Sequence, residues 1–230
     1  MNLYVGTSGY SYQAWKGKFY PKSLPARQML HFYGECFRAV EINSTFNGTP
    51  KTSVMERWVE AVGGDFKFAL KAPRQITHVK RLKGADDLVS HLLEAAGILS
   101  EHQGPVLFQL PPNSKKDLPR LRAFLALLPS QRYVAFEFRH PSWFDEEVLE
   151  ELREHRAALC VADAEDDLEV PFTATADWGY LRLRRSDYSD AELKTWIKRV
   201  QHWQRAFVFF RHEDDGNGPR LAQRFMELTV

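Results

Sequence analysis

The chain has 230 residues and a formal net charge of +1, with 44% hydrophobic and 13% aromatic content. That apolar supply excludes a disordered chain, and the balanced charge excludes a globally basic surface of the kind that advertises nucleic acid. The two cysteines, Cys36 and Cys160, lack metal-ligand spacing, which excludes a cysteine-built zinc site, and no apolar stretch approaches the roughly 20 residues that span a bilayer. Eight short apolar or β-branched runs recur along the chain, at residues 3–7, 39–43, 66–71, 105–110, 133–138, 157–162, 179–183 and 206–210. After the first run comes an aromatic loop over residues 10–20, with Tyr10, Tyr12, Trp15, Phe19 and Tyr20. Ser23 before Leu24-Pro25 predicts a capped helix carrying Met29, Phe32 and Tyr33. Thr49-Pro50 opens a second, with Val54, Trp58 and Val62 at helical spacing and Gly63-Gly64 as its stop. Leu88, Leu92, Ala95, Ala96 and Leu99 form a third stripe, ended by Gly104. Asp145 caps a further helix through Val148 and Leu152, with Glu146 and Glu147 suiting its positive end. Residues 163–178 are acidic, then Pro- and Thr-containing, and carry no helix pattern. Ser189 with Glu192 makes a capping box, and residues 219–228 read as the last helix.

Strand-like runs joined mostly by helices predict βα units and a parallel sheet. Eight of them favour a closed α/β barrel of the (β/α)8, TIM-barrel-like type, in one domain over residues 1–230. An irregular segment is expected between its sixth and seventh strands. Such barrels usually need about 250 residues, so this one is small. The first turn, Gly6-Thr7-Ser8-Gly9-Tyr10, lacks the GxGxxG spacing of a dinucleotide site.

Residues two apart on a strand share a face. Phe136 and Phe138 therefore oppose Glu137 and Arg139, Val40 and Ile42 oppose Glu41 and Asn43, and Leu181 and Leu183 oppose Arg182 and Arg184. The apolar faces suit the outer helices, which turns the polar faces toward the barrel mouth. Other runs end on Lys71, Gln109 and Asp163, and the last on Arg211 and His212. Catalytic groups of such barrels gather at the C-terminal strand ends.

Buried charges must be paired or must meet a ligand. Glu41, Glu137 and Asp163 fit acid/base groups, hard metal ligands, or partners for Arg139, Arg182 and Lys71. Lys71 fits an electrostatic clamp, or a Schiff-base amine if burial lowers its pKa. The candidate catalytic set is Glu41, Glu137, Lys71 and Asp163, with Asp163 expected to reach inward from its acidic loop. Ser8, Tyr10, Asn43, His78, Gln109, Arg139, His140, Arg182 and Arg211 are the candidate substrate-binding residues. Cys160, in the apolar run 157–161, reads as a buried, inert thiol.

Taken together, several motifs resemble the YecE-like family, domain of unknown function seventy-two. They are Gly6-Thr7-Ser8-Gly9-Tyr10, Val40-Glu41-Ile42-Asn43-Ser44-Thr45-Phe46, Phe68-Ala69-Leu70-Lys71-Ala72-Pro73, Phe108-Gln109-Leu110-Pro111-Pro112 and Phe136-Glu137-Phe138-Arg139-His140-Pro141-Ser142-Trp143-Phe144. The resemblance covers nearly the whole chain and implies a TIM-barrel-like fold. It brings no established activity. Asn47 stands where many relatives carry an aromatic residue after Ser-Thr-Phe.

Three functions are compatible with these residues. The first is an enzyme using acid/base chemistry on a small anionic, phosphorylated or carboxylated, sugar-like molecule, as a hydrolase, isomerase or lyase. The second is a metal-dependent phosphodiester or nucleic-acid hydrolase, with Glu41, Glu137, Asp163 and a histidine holding a divalent metal. The third is a non-catalytic module that binds a ligand or partner. The first needs no cofactor, and a cytoplasmic location without a membrane partner is expected for all three.

Overall fold

A computed structural model describes residues 1–129, 133–165, 168–211 and 216–229. The period-two runs form eight strands: β1 (Asn2–Thr7), β2 (Ala39–Ile42), β3 (Lys67–Lys71), β4 (Gln103–Gln109), β5 (Val134–Glu137), β6 (Ala158–Asp163), β7 (Trp178–Leu183) and β8 (Arg205–Phe210). Each pairs in parallel with its neighbour in the order β1-β8-β7-β6-β5-β4-β3-β2. Around them lie α1 (Met29–Cys36), α2 (Thr52–Ala61), α3 (Asp86–Gly97), α4 (Leu118–Leu125), α5 (Glu146–Glu154), α6 (Asp190–Val200) and α7 (Asn217–Glu227).

The caps behave as their chemistry dictates where the geometry allows. The Asp145 carboxylate accepts from the Val148 N–H, and Ser189 and Glu192 exchange both bonds of the capping box. Ser23 does not open a helix. Pro25 takes an extended conformation, residues 26–28 make a single 3-10 turn, and α1 starts only at Met29. Proline steers the residue before it away from helix, which delays the start. α4, which the periodicity leaves unmarked, is short, has a proline in its first turn, and is capped by Asp117 through the Arg120 N–H at 3.1 Å. The described residues between β6 and β7 are irregular as expected, and Thr175 ties them to the sheet. Its hydroxyl accepts from the Leu159 N–H and donates to the Ala157 carbonyl, both at 2.7 Å.

Alternation sorts the side chains into an outer shell and a lumen. Val5, Val40, Ile42, Phe68, Leu70, Val161, Leu181 and Val208 pack outward under the helices. Inside, alanines of β2, β3, β5 and β6 face the large rings Tyr4, Trp178, Tyr180, Phe207 and Phe209 of β1, β7 and β8. Small against large fills the lower lumen, so the barrel is a packed core and not a pore. Cys160 belongs to this lumen core, and burial pushes its thiol well above the ordinary value, consistent with an inert thiol.

The barrel is nearly closed. β1 and β2 meet through a single bridge, Ser8 to Glu41, and the Gly9 N–H donates to the Glu41 carbonyl at 2.8 Å. Below that bridge a side chain replaces the missing ladder. The Tyr33 hydroxyl accepts from the Thr7 N–H at 2.7 Å and donates to the Ala39 carbonyl at 3.1 Å. Gly6 permits this contact, since a Cβ there would lie 1.8 Å from the Ala39 oxygen.

Candidate active site

The inward positions at the C-terminal ends of five strands are polar: Glu41 on β2, Lys71 on β3, Gln109 on β4, Glu137 on β5 and Arg182 on β7. Arg182 occupies the centre. Its Nη2 donates to Glu41 Oε1 at 2.8 Å and its Nη1 to Glu137 Oε2 at 2.5 Å. Glu41 also accepts from the Ser8 hydroxyl and the Tyr180 phenol, each at 2.7 Å, and Glu137 accepts from Gln109 Nε2 at 2.7 Å. All six residues are buried.

The triad is ionised at neutral pH. Burial by itself would raise both carboxyl groups, but Arg182 and the hydrogen-bond donors outweigh it and hold each below the ordinary value of 4.5. Burial would likewise discharge Arg182, and the two carboxylates outweigh that in turn. Desolvating three charges is tolerable because nearly every oxygen and nitrogen has a partner.

Above this floor opens a cavity of about 340 Å³, whose charged walls are Lys71, Glu137, Arg139, Arg182 and Arg184, with Tyr12, Asn43 and Phe46 beside them. Cations outnumber carboxylates even when Glu41 beneath is included. The exposed Arg139 lies 3.9 Å from Glu137. Arg184 is half-buried, its Nη1 is enclosed without a hydrogen-bond partner, and burial together with Arg182 pushes it below the ordinary guanidinium value. Lys71 has no carboxylate within ion-pair reach among the described residues; its Nζ stands 4.3 Å from the centre of the Phe46 ring. Burial and Arg182 lower its pKa to about 8, against the opposing pull of Glu41 and Glu137. The Ser-Thr-Phe segment sets this contact. Thr45 Oγ1 lies 2.7 Å from both the Ile42 and Lys71 carbonyl oxygens, fixing the turn that presents Phe46.

Of the sequence-predicted residues, Ser8, Glu41, Gln109, Glu137 and Arg182 form the floor, and Asn43, Lys71 and Arg139 line the mouth. Asp163 is a correction. It falls on the outward parity of β6, where its Oδ2 accepts from Trp196 Nε1 at 3.3 Å, and it does not reach inward. His140 also serves locally: its Nδ1 accepts from the Ser142 N–H at 3.1 Å and caps the turn Pro141–Trp143. Tyr10 lines a separate cavity of about 200 Å³ with Trp58, adjoining the mouth through Tyr12 and Asn43. His78 stands edge-on to Phe46, ring centres 4.9 Å apart, and burial with nearby Lys71 and Arg74 lowers its pKa below 6.5. Arg211 stays at the rim, its Nη1 reaching the Arg184 carbonyl at 3.4 Å. His212 lies outside the described residues.

The sequence places Arg184 on a mouth-facing parity without counting it among the candidates, and it leaves Tyr180, Tyr12 and Phe46 out of the site. Tyr180 was within reach of the same argument, because it shares the inward parity of Arg182 on β7. Among the described residues, the ligand-type side chains that converge in threes are Glu151, Glu154 and His155 at the end of α5, where Glu151 is already paired with Arg122. At the mouth, the Arg182 guanidinium stands between the two carboxylates. No described helix is long and apolar enough to cross a membrane.

Residues 4–230 match the family model described as protein of unknown function DUF72. The chain belongs to this family. Among its relatives, the UPF0759 protein YecE of Escherichia coli (strain K12) is 30% identical over 229 residues, covering 86% of this chain and 84% of that protein. The UPF0759 protein YunF of Bacillus subtilis (strain 168) is 25% identical over 269 residues, covering 98% and 94%. A crystal structure of a DUF72 family protein from Thermotoga maritima MSB8 superposes with a TM-score of 0.88 at 28% identity, covering 99% of both chains. A second, from Enterococcus faecalis V583, gives a TM-score of 0.81 at 17% identity over 99% of this chain and 95% of that one, and shows the shared fold. The expected DUF72 membership and TIM-barrel-like fold are therefore both established.

Proposed function

We propose that this DUF72 chain is an enzyme that binds a small anionic molecule, phosphorylated or carboxylated and sugar-like, at the C-terminal mouth of its barrel. One observation carries the reading: Lys71, Arg139 and Arg184 converge on a cavity whose lining carboxylate, Glu137, and the Glu41 beneath it are already engaged by Arg182. An oxyanion in the cavity balances the excess cation and accepts from the guanidinium and ammonium groups that line it. The acid/base role passes from Glu41 and Glu137, which Arg182 holds ionised, to Lys71, whose pKa is lowered to about 8, and to His78 behind Phe46.

The metal-dependent reading requires Glu41 and Glu137 to release Arg182 and has no support from Asp163, which faces away. Native mass spectrometry of the purified protein and calorimetry with inorganic phosphate test the anion site. A co-purifying anion, or saturable phosphate binding weakened roughly tenfold or more in Arg184→Leu, is expected; wild-type protein that retains no anion and binds no phosphate overturns the proposal. Anion binding without turnover of any phosphorylated or carboxylated sugar would favour the non-catalytic module.

A further inference from the structure

Among the lysines, Lys71 is placed unlike a clamp. A clamp donates to acceptors, whereas the Lys71 Nζ faces the cavity over the Phe46 ring with no carboxylate or carbonyl in reach among the described residues. The charged groups around it are Arg182, Arg184 and Arg139 on one side of the balance and Glu41 and Glu137 on the other, with His78 beyond Phe46. Both carboxylates are bound to Arg182, so neither is available to fix an ammonium.

We infer that Lys71 is a nucleophile that forms a Schiff base with the carbonyl carbon of an anionic aldehyde or ketone held by Arg139 and Arg184. This inference rests on the anion-binding reading of the same mouth and names its substrate class. The amine lone pair attacks the carbonyl carbon while the carbonyl π pair moves to oxygen. Nitrogen loses a proton and oxygen gains one, giving a carbinolamine. The C–O bond then breaks as the hydroxyl takes a proton from solvent and leaves as water, the nitrogen lone pair completes the C=N bond, and the iminium returns its remaining N–H proton to solvent. Amine and carbonyl become imine and water, with no change of oxidation state.

The depressed pKa of about 8 serves this step. At that pH half of Lys71 is neutral, roughly a hundredfold more than for a lysine at the ordinary 10.5. Phe46 supplies an apolar face that stabilises a cation without hydrogen-bonding it, which suits both the ammonium and a protonated imine. The cations that disfavour the ammonium also attract the substrate's phosphate or carboxylate.

The test uses the full chain at a pH of about 8, with glyoxylate in one arm and glycolaldehyde phosphate in the other, each reduced by sodium borohydride. Peptide mapping of wild-type protein is expected to find the borohydride-dependent adduct concentrated on Lys71, and inorganic phosphate is expected to suppress it. Lys71→Arg and Lys71→Met are expected to lose it. The arm that labels assigns carboxylate or phosphate as the anchoring group. Label spread evenly over surface lysines, or no adduct while phosphate still binds, overturns the Schiff base and leaves the anion site standing. Absence of both adduct and phosphate binding overturns the two together.

Discussion

Arg182 Nη2 donates to Glu41 Oε1 at 2.8 Å across the upper lumen, joining residues 141 apart in the chain. With Nη1 on Glu137, one guanidinium ties β2 and β5 to β7 and leaves the cations above it to meet a ligand. Arg182→Met strands two buried carboxylates. A loss of about 3–5 kcal/mol in urea unfolding is expected near neutral pH, partly recovered on acidification as one carboxyl takes up a proton. A loss below about 1 kcal/mol would show that the triad does not stabilise the fold.

Acid stability follows from the same residues. Glu41 and Glu137 have folded pKa values below their ordinary 4.5, so their contribution is complete above that value and is lost as pH falls through the folded values. Unfolding midpoints should show no loss from these groups between neutrality and about pH 5, then drop steeply. Glu137→Gln should shallow the drop, and an unchanged acid limb would remove Glu137 from it.

Arg184 is expected to separate function from stability. It has an enclosed, unpartnered nitrogen and is repelled by Arg182, so Arg184→Leu should leave the melting temperature unchanged or raise it. Phosphate affinity should fall roughly tenfold or more, the scale of one charge-assisted hydrogen bond. Calorimetry and thermal melts on one preparation read both quantities. A destabilised variant with intact affinity contradicts the assignment.

Sulfate keeps its charge across the range in which Lys71 titrates, and so isolates the charge of that side chain. Its affinity should decline as pH rises through about 8, where Lys71 loses its proton, and Lys71→Met should abolish the dependence. Stability moves the other way. A lysine depressed in the folded state penalises folding while both states are protonated, and the penalty is relieved as pH climbs from about 8 toward 10.5. Sulfate binding that is flat through this range would remove Lys71 from the anion site.

Tyr33→Phe tests the seam. Loss of the hydroxyl leaves the Thr7 N–H and the Ala39 carbonyl without their shared partner in a buried position. Chemical denaturation should show a loss of about 1–3 kcal/mol, the cost of an unsatisfied buried group, with phosphate affinity retained.

The sequence by itself determined the eight strands, the parity that turns Glu41, Glu137 and Arg182 inward, and the caps at Asp145 and Ser189, because these follow from period-two alternation and one-turn chemistry. α4 escaped it because eight residues with a proline in the first turn carry little periodicity. The fates of the candidates were decided by neighbours that only the barrel assembles. Asp163 lay one residue out of phase, so β6 delivered it to Trp196 instead of the lumen. His140 found its partner two residues away and became a cap. The sequence leaves open whether Arg182 or Lys71 takes the carboxylates of Glu41 and Glu137. Arg182 took both, and that left Lys71 over an aromatic ring at the mouth, with its pKa lowered to about 8.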